Sequence, residues 1–363
     1  MDLQHEPITV KPISEIAQFQ RNLIPAHIPE KYTLKPMFKS IADEDNIQSG
    51  IVAFRDFLYS FCDSLISDGH LYAKPPKKPT SMADYPFLYN ITNLLVDIGY
   101  YGELSANGNL LLMSQKINPK IPISSQIECL RFLALCGFAF DGVDLEAKKF
   151  SISESQVLEV SYPDNPALLI GLKALSIADM ELRTGRRYWN DNNLLRCDYR
   201  LLMAEEADMR DVLADFLHPL PEKIQNFALK LHQRYTDMGL TCVNTRLGVI
   251  SFAYAHLGKS RKALSERDIY SKRVWEFSYS IRNGYCLFIK AKKTDSYADT
   301  IKTFDKSLQE KIAQGYGCYR KFGRERCQVD CQGFCIPLDT SILSISKDIE
   351  TWLDNEMLGS LKK

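Results

Sequence analysis

The chain has 363 residues, of which 45% are hydrophobic and 25% charged, the usual balance of a globular protein. Its 45 basic and 45 acidic side chains give a formal net charge of zero, which argues against a protein that binds nucleic acid or a membrane with its whole surface. It has no run of ~18 apolar residues and no basic-then-apolar N-terminus, so we expect a cytoplasmic protein whose ten cysteines are reduced thiols or metal ligands.

Six amphipathic helices are predicted from apolar residues that recur at helical spacing. A capping box of Ser125 and Glu128 marks the start of one helix, and Asn165-Pro166 marks the start of the next. Glycines that follow the apolar stripes act as stop signals. The predicted helices cover residues 87–98, 125–134, 166–180, 221–235, 297–312 and 346–358.

Two Asn-Gly pairs predict β-hairpins, at Asn107-Gly108 and at Asn283-Gly284. Asn-Gly tolerates the positive φ angles of a type I′ turn, whose two residues connect adjacent antiparallel strands. The predicted strands are residues 101–104, 110–113, 157–162, 249–254, 274–280 and 285–291.

The proline-rich and lysine-rich segment 74–80 predicts an extended linker, because proline fixes φ and removes a backbone donor. We therefore expect an N-terminal helical region (1–80), an α+β middle domain (81–200) and an α+β C-terminal domain (201–363). The middle domain resembles winged-helix modules in its order of helices and strands, although the helices can equally be scaffold. The fold class is α+β, with short hairpins in a helix-rich N-terminal part. A three-stranded antiparallel sheet flanked by helices and a Cys-rich segment is expected at the C-terminus.

Four cysteines fall within 18 residues near the C-terminus: Cys318, Cys327, Cys331 and Cys335. Zinc prefers four tetrahedral ligands and binds thiolates well, and four thiolates leave no open position for a substrate. Cationic neighbours favour the thiolate form, and this segment contains Arg320, Lys321, Arg324 and Arg326. The sequence therefore predicts a structural zinc site, with Cys242 as a substitute ligand if Cys335 packs away from it.

Other interpretations of these cysteines stay open, because the spacing differs from paired C-x-x-C knuckles and from the familiar ferredoxin patterns. They are buried reduced thiols, an iron–sulfur cluster or a redox disulfide. Cys286 is excluded as a ligand, because a two-residue Asn283-Gly284 turn would place it on an aromatic face with Trp275 and Phe277. The isolated cysteines, Cys62, Cys129, Cys136 and Cys197, are expected to be structural.

Further candidates carry weaker signals. Gly258-Lys259-Ser260 lacks the first glycine of a phosphate-binding loop. His70, His218 and His232 each read as packing or surface residues rather than as a general base. Three arginines precede Tyr188-Trp189 and fit either a helix C-terminus or a phosphate contact. They are Arg183, Arg186 and Arg187.

Residues 259–326 contain 17 basic and 8 acidic side chains, a balance of +9. We therefore expect a binding or regulatory protein that contacts an anionic partner, such as nucleic acid, through the basic residues 320–326 and the aromatic strand containing Trp275, Phe277 and Tyr279. The rival expectation is an enzyme of unknown reaction with an inter-domain active site, which would require a cleft with converging polar groups. A third is that the cysteines only hold the C-terminus together.

Overall fold

The computed structural model describes residues 11–75, 86–117, 121–150, 156–182, 194–245, 250–257, 269, 272–281, 283–291, 294–313 and 333–361. The chain divides into two compact units, residues 1–207 and 208–363. Both units combine helices with an antiparallel sheet, so the α+β class is confirmed. The domain boundaries near residues 80 and 200 stay predictions.

The described residues of the first unit form five α-helices. They are α1 (Ile13–Arg21), α2 (Glu44–Tyr72), α3 (Pro86–Tyr101), α4 (Ile123–Leu135) and α5 (Ala167–Glu181). Helix α2 packs against α1 and α5, and α3 packs against α4 and α5. Asp43 begins α2, because its carboxylate accepts a hydrogen bond from the Asn46 backbone N–H at 2.8 Å.

Helices α2 and α5 cross with their backbones in close contact. A Cβ atom added to Gly171 would lie 2.1 Å from the Gly50 carbonyl oxygen, and one added to Gly50 would lie 2.6 Å from the Gly171 nitrogen. Only glycine at both positions permits this approach, so the two glycines fix where the helices cross.

A four-stranded antiparallel sheet completes the first unit. Its strands are β1 (Glu103–Leu104), β2 (Leu110–Met113), β3 (Ala139–Asp141) and β4 (Val157–Ser161), in the order β1-β2-β4-β3. The hairpin between β1 and β2 is confirmed. Its winged-helix interpretation stays a prediction.

The described residues of the second unit form five helices and a five-stranded antiparallel sheet. The helices are α6 (Met209–Leu217), α7 (Glu222–Asp237), α8 (Ala298–Ile301), α9 (Lys306–Ala313) and α10 (Ser346–Leu361). The strands are β5 (Thr241–Thr245), β6 (Ile250–Ala255), β7 (Arg273–Ser280), β8 (Gly284–Ile289) and β9 (Phe334–Pro337). They lie side by side in chain order, so the prediction of three strands is wrong: β5 and β9 add an edge on each side.

One face of this sheet is an aromatic core. Trp275 stacks on Tyr254 with ring centroids 3.6 Å apart and meets Tyr235 of α7 at 5.5 Å. Trp275 and Phe277 are fully buried, and Tyr279 is nearly so. These aromatic side chains therefore stabilise the fold, and the expectation that they present a binding surface is wrong.

The Asn283-Gly284 hairpin is one residue longer than expected. Ser280 pairs with Gly284, which leaves residues 281–283 as the connection. A type I′ turn needs positive φ at both central residues, but of the two only Gly284 has it, at 64°. The left-handed Gly284 instead follows the three-residue connection directly, as the first residue of β8. The extra residue changes the face of the sheet to which every side chain of β8 points.

Candidate functional site

Cys335 is the one predicted zinc ligand of the segment 318–335 that lies within the described residues. It stands on edge strand β9, where it pairs with Phe288 of β8, and it is half-buried. The chain reaches this strand through Gly333, where an added Cβ would lie 1.9 Å from the Phe288 ring. The contact anchors the end of the Cys-rich segment on the sheet.

The other predicted site residues of this segment lie outside the described residues. They are Cys318, Cys327, Cys331, Arg320, Lys321, Arg324 and Arg326. Arg183, Arg186 and Arg187 also lie outside the described residues. Within the described part of the chain, no three His, Cys, Asp or Glu side chains are grouped so as to hold a metal ion.

Cys242, the predicted substitute ligand, lies at the opposite edge of the same sheet. It is on β5, opposite Tyr254, and its thiol forms a hydrogen bond with the Tyr254 hydroxyl. Burial raises the pKa of the Cys242 thiol to about 12. Four strand spacings of about 4.8 Å separate β5 from β9, or about 19 Å. Two thiolates on one tetrahedral zinc lie only about 3.8 Å apart at a Zn–S distance of about 2.3 Å, so Cys242 and Cys335 cannot share an ion.

Cys286 lies beside Cys335, contrary to the expected register. It pairs with Ser278 rather than Ile281, and it therefore faces away from Trp275 and Phe277. Its sulfur is 3.1 Å from the Ser278 hydroxyl oxygen and forms a hydrogen bond with the Cys335 sulfur. The register that was used to exclude Cys286 as a zinc ligand is wrong, because it assumed a two-residue turn, whereas the exclusion itself stays a prediction.

The two thiols of this pair differ in acidity. The hydrogen bond to Cys286 lowers the pKa of Cys335, with a smaller contribution from the Lys311 ammonium group. The same hydrogen bond, together with burial, raises the pKa of Cys286. Cys335 is therefore the member that more readily becomes a thiolate, and Cys286 keeps its proton.

Charged side chains lie on the same sheet face as the thiol pair. Arg273 contacts the Glu276 carboxylate at 3.3 Å and stands over the Phe288 ring at 4.9 Å. Glu276 and Lys290 are only 6% and 2% exposed. Burial raises the pKa of Glu276, whereas Arg273 and Lys290 oppose that rise. Burying charged groups is costly unless they are paired, and here the Arg273 guanidinium is paired with the Glu276 carboxylate. The same face of the sheet therefore holds an ion pair and two thiols.

The aromatic face contains a second polar group that the sequence did not indicate. His232 of α7 lies with Nδ1 2.8 Å from the Tyr254 hydroxyl oxygen, and that hydroxyl also contacts Cys242. Burial lowers the pKa of His232, which keeps the imidazole neutral at pH 7. The hydrogen-bonded side chains of His232, Tyr254 and Cys242 are enclosed in the core, so we assign them a structural role.

The isolated cysteines lie in the first unit. Burial raises the pKa of Cys62 to about 12 and that of Cys136 to about 11, and it also raises those of Cys129 and Cys197. Thiols with a raised pKa are poor metal ligands and poor nucleophiles at pH 7.

None of the helices in the described part of the chain has the length and apolar character that a membrane span needs. Comparison with protein-family models gave no match, and neither did the searches of curated proteins and of solved structures.

Proposed function

We propose that the second unit is a binding module whose Cys-rich segment folds around a structural zinc ion. The ligands would be Cys318, Cys327, Cys331 and Cys335. The observation that carries the proposal is the position of Cys335: its half-buried thiol stands at the edge of the sheet, where the Cys-rich segment ends.

The chain around this segment supports the proposal. Helix α9 ends at Ala313 and strand β9 begins at Phe334, and three more cysteines lie between them. Cys331 precedes Cys335 by four residues, which span at most about 14 Å of extended chain, so both thiolates can reach one ion. Metal binding would then contribute folding free energy to this part of the unit.

Elemental analysis of the purified full chain tests the zinc proposal. We expect one zinc per chain in the wild type and a loss of that zinc in Cys327→Ser, together with a lower melting temperature. Cys136→Ser serves as the control, because Cys136 is half-buried in the first unit. Cys242→Ser should also keep the metal. A wild type without zinc, or a Cys327→Ser variant that keeps it, would contradict the proposal.

The same segment would supply the contact with an anionic partner. Arg320, Lys321, Arg324 and Arg326 all lie between Cys318 and Cys327, and residues 259–326 carry the +9 balance. A metal site that orders the segment would hold these charges close together, and closely spaced cations attract phosphate groups.

An electrophoretic shift assay at low salt tests this contact, with short single-stranded and double-stranded oligonucleotides as probes. The double variant Arg324→Ala/Arg326→Ala should weaken binding and reduce its salt dependence. The control is Lys148→Ala/Lys149→Ala, which removes two exposed lysines of the first unit. Absence of a shift at every salt concentration would exclude a nucleic-acid partner.

A further inference from the structure

The thiols of Cys286 and Cys335 are neighbours on one face of the second sheet. The register of β8 and β9 pairs Phe288 with Cys335 and Pro337 with Cys286, so the two cysteines are diagonal neighbours across adjacent strands. Their sulfur atoms contact each other through a hydrogen bond. Every residue of this arrangement lies within the described part of the chain.

The two cysteines differ in their access to solvent. Cys286 is only 2% exposed, and the Ser278 hydroxyl at 3.1 Å fixes its sulfur from the neighbouring strand. Cys335 is half-buried, and its strand is an edge of the sheet as described. A small oxidant can therefore reach Cys335, whereas Cys286 is positioned to react with Cys335 rather than with solvent.

We propose that Cys335 is a site of oxidation by hydroperoxides and that Cys286 resolves the oxidised sulfur into an intramolecular disulfide. In the first step the Cys335 sulfur attacks the peroxide, the O–O bond breaks, and the alcohol leaves while Cys335 becomes a sulfenic acid. In the second step the Cys286 sulfur attacks the Cys335 sulfur, the S–O bond breaks, and water leaves. Two thiols lose two electrons in total, and one hydroperoxide is reduced to an alcohol and a water molecule.

The second step requires a short movement of strand β9. The sulfur atoms must close from hydrogen-bond contact to about 2.05 Å. Strand β9 has four residues and pairs with β8 alone among the described strands, so fewer hydrogen bonds hold it than hold a central strand. A short edge strand is therefore the part of this sheet that can shift most easily.

Mass spectrometry of the full chain after brief treatment with hydrogen peroxide tests the proposal. Trypsin followed by chymotrypsin separates Cys335 from Cys331, because chymotrypsin cleaves after Phe334. We expect the Cys286–Cys335 disulfide to be the main intramolecular product. Dimedone, which traps sulfenic acids, should label Cys335 in the Cys286→Ser variant. Circular dichroism checks that this variant is folded, and the wild-type digest tests the disulfide even if the variant is not.

Three results in the chelator-treated protein would overturn the proposal: a disulfide that joins Cys335 to Cys331, a reduced Cys335 after treatment, or a folded Cys286→Ser variant whose Cys335 takes no dimedone. The reaction itself requires no metal. The digest is therefore run on the protein as purified and after chelator treatment, with a colorimetric zinc assay alongside. In the chelator-treated protein, which holds no zinc, a Cys286–Cys335 disulfide supports this inference and its absence overturns it. The zinc assay on the protein as purified tests the zinc proposal separately.

Discussion

Replacing Gly171 with alanine tests the closest helix contact in the first unit. The new methyl group would lie 2.1 Å from the Gly50 carbonyl oxygen and 2.3 Å from its carbonyl carbon. Non-bonded heavy atoms prefer about 3.5–4.0 Å, so helices α2 and α5 would have to separate by about 1 Å or more. Both partners are backbone atoms within helices, so no side-chain rotation can relieve the clash.

The expected effect follows from two opposing contributions. Overpacking of a tight core costs about 3 kcal/mol at the upper end of its usual range. Alanine in place of glycine inside a helix raises the free energy of unfolding by about 1 kcal/mol, because alanine has the higher helix propensity. The variant should therefore lose about 2 kcal/mol of unfolding free energy, which lowers the melting temperature of a unit this large by about 4–8 °C.

Urea denaturation monitored by circular dichroism measures this loss directly. Ser67→Ala is the matched control, because Ser67 is exposed on α2 and the change improves helix propensity without a clash. The control should be neutral or slightly more stable. A Gly171→Ala variant as stable as the wild type would refute the close crossing of α2 and α5.

Two further predictions concern a helix end and a buried histidine. Asp43→Ala removes the N-cap of α2 and should cost about 1 kcal/mol in urea denaturation, and an unchanged midpoint would contradict the cap. Because the pKa of folded His232 is lowered below its unfolded value of 6.5, the unfolded chain binds more protons, and stability should fall as pH drops below about 6.5 toward that lowered pKa. Thermal melts between pH 7.5 and 5 should show a smaller fall for His232→Gln than for the wild type or for His70→Gln, which changes an exposed histidine. Parallel pH profiles for all three proteins would contradict this reading.

Helical periodicity predicted much of the fold, but the predicted helices do not include α2. Helix α2 is the longest in the described residues, and its buried Ile47, Ile51, Phe54, Leu58 and Phe61 follow helical spacing. The signal was present in the sequence, together with the Asp43 cap. The helix predicted over 297–312 is interrupted instead, because the Asp305 carboxylate accepts the Ser307 backbone N–H at 2.9 Å and so begins a new helix, α9.

The candidate site depended on one turn that local sequence did not determine. Asn-Gly suits a two-residue turn, but it also occurs where a longer connection is followed by a left-handed glycine. The structure has the second arrangement, with Gly284 as the first residue of β8. A difference of one residue moved Cys286 from the aromatic core to the side of Cys335. The edge strands were missed for a different reason: β9 has only four residues and ends in a proline, which removes a backbone donor.

X-ray absorption spectroscopy at the zinc edge tests the central claim most directly, since it reports the number and type of atoms bound to the metal in the intact protein. The proposed site predicts four sulfur neighbours at about 2.3 Å. The Cys327→Ser variant should show fewer sulfur neighbours or no bound zinc. A first shell of nitrogen or oxygen at about 2.0 Å, or a protein that binds no zinc at all, would contradict the account.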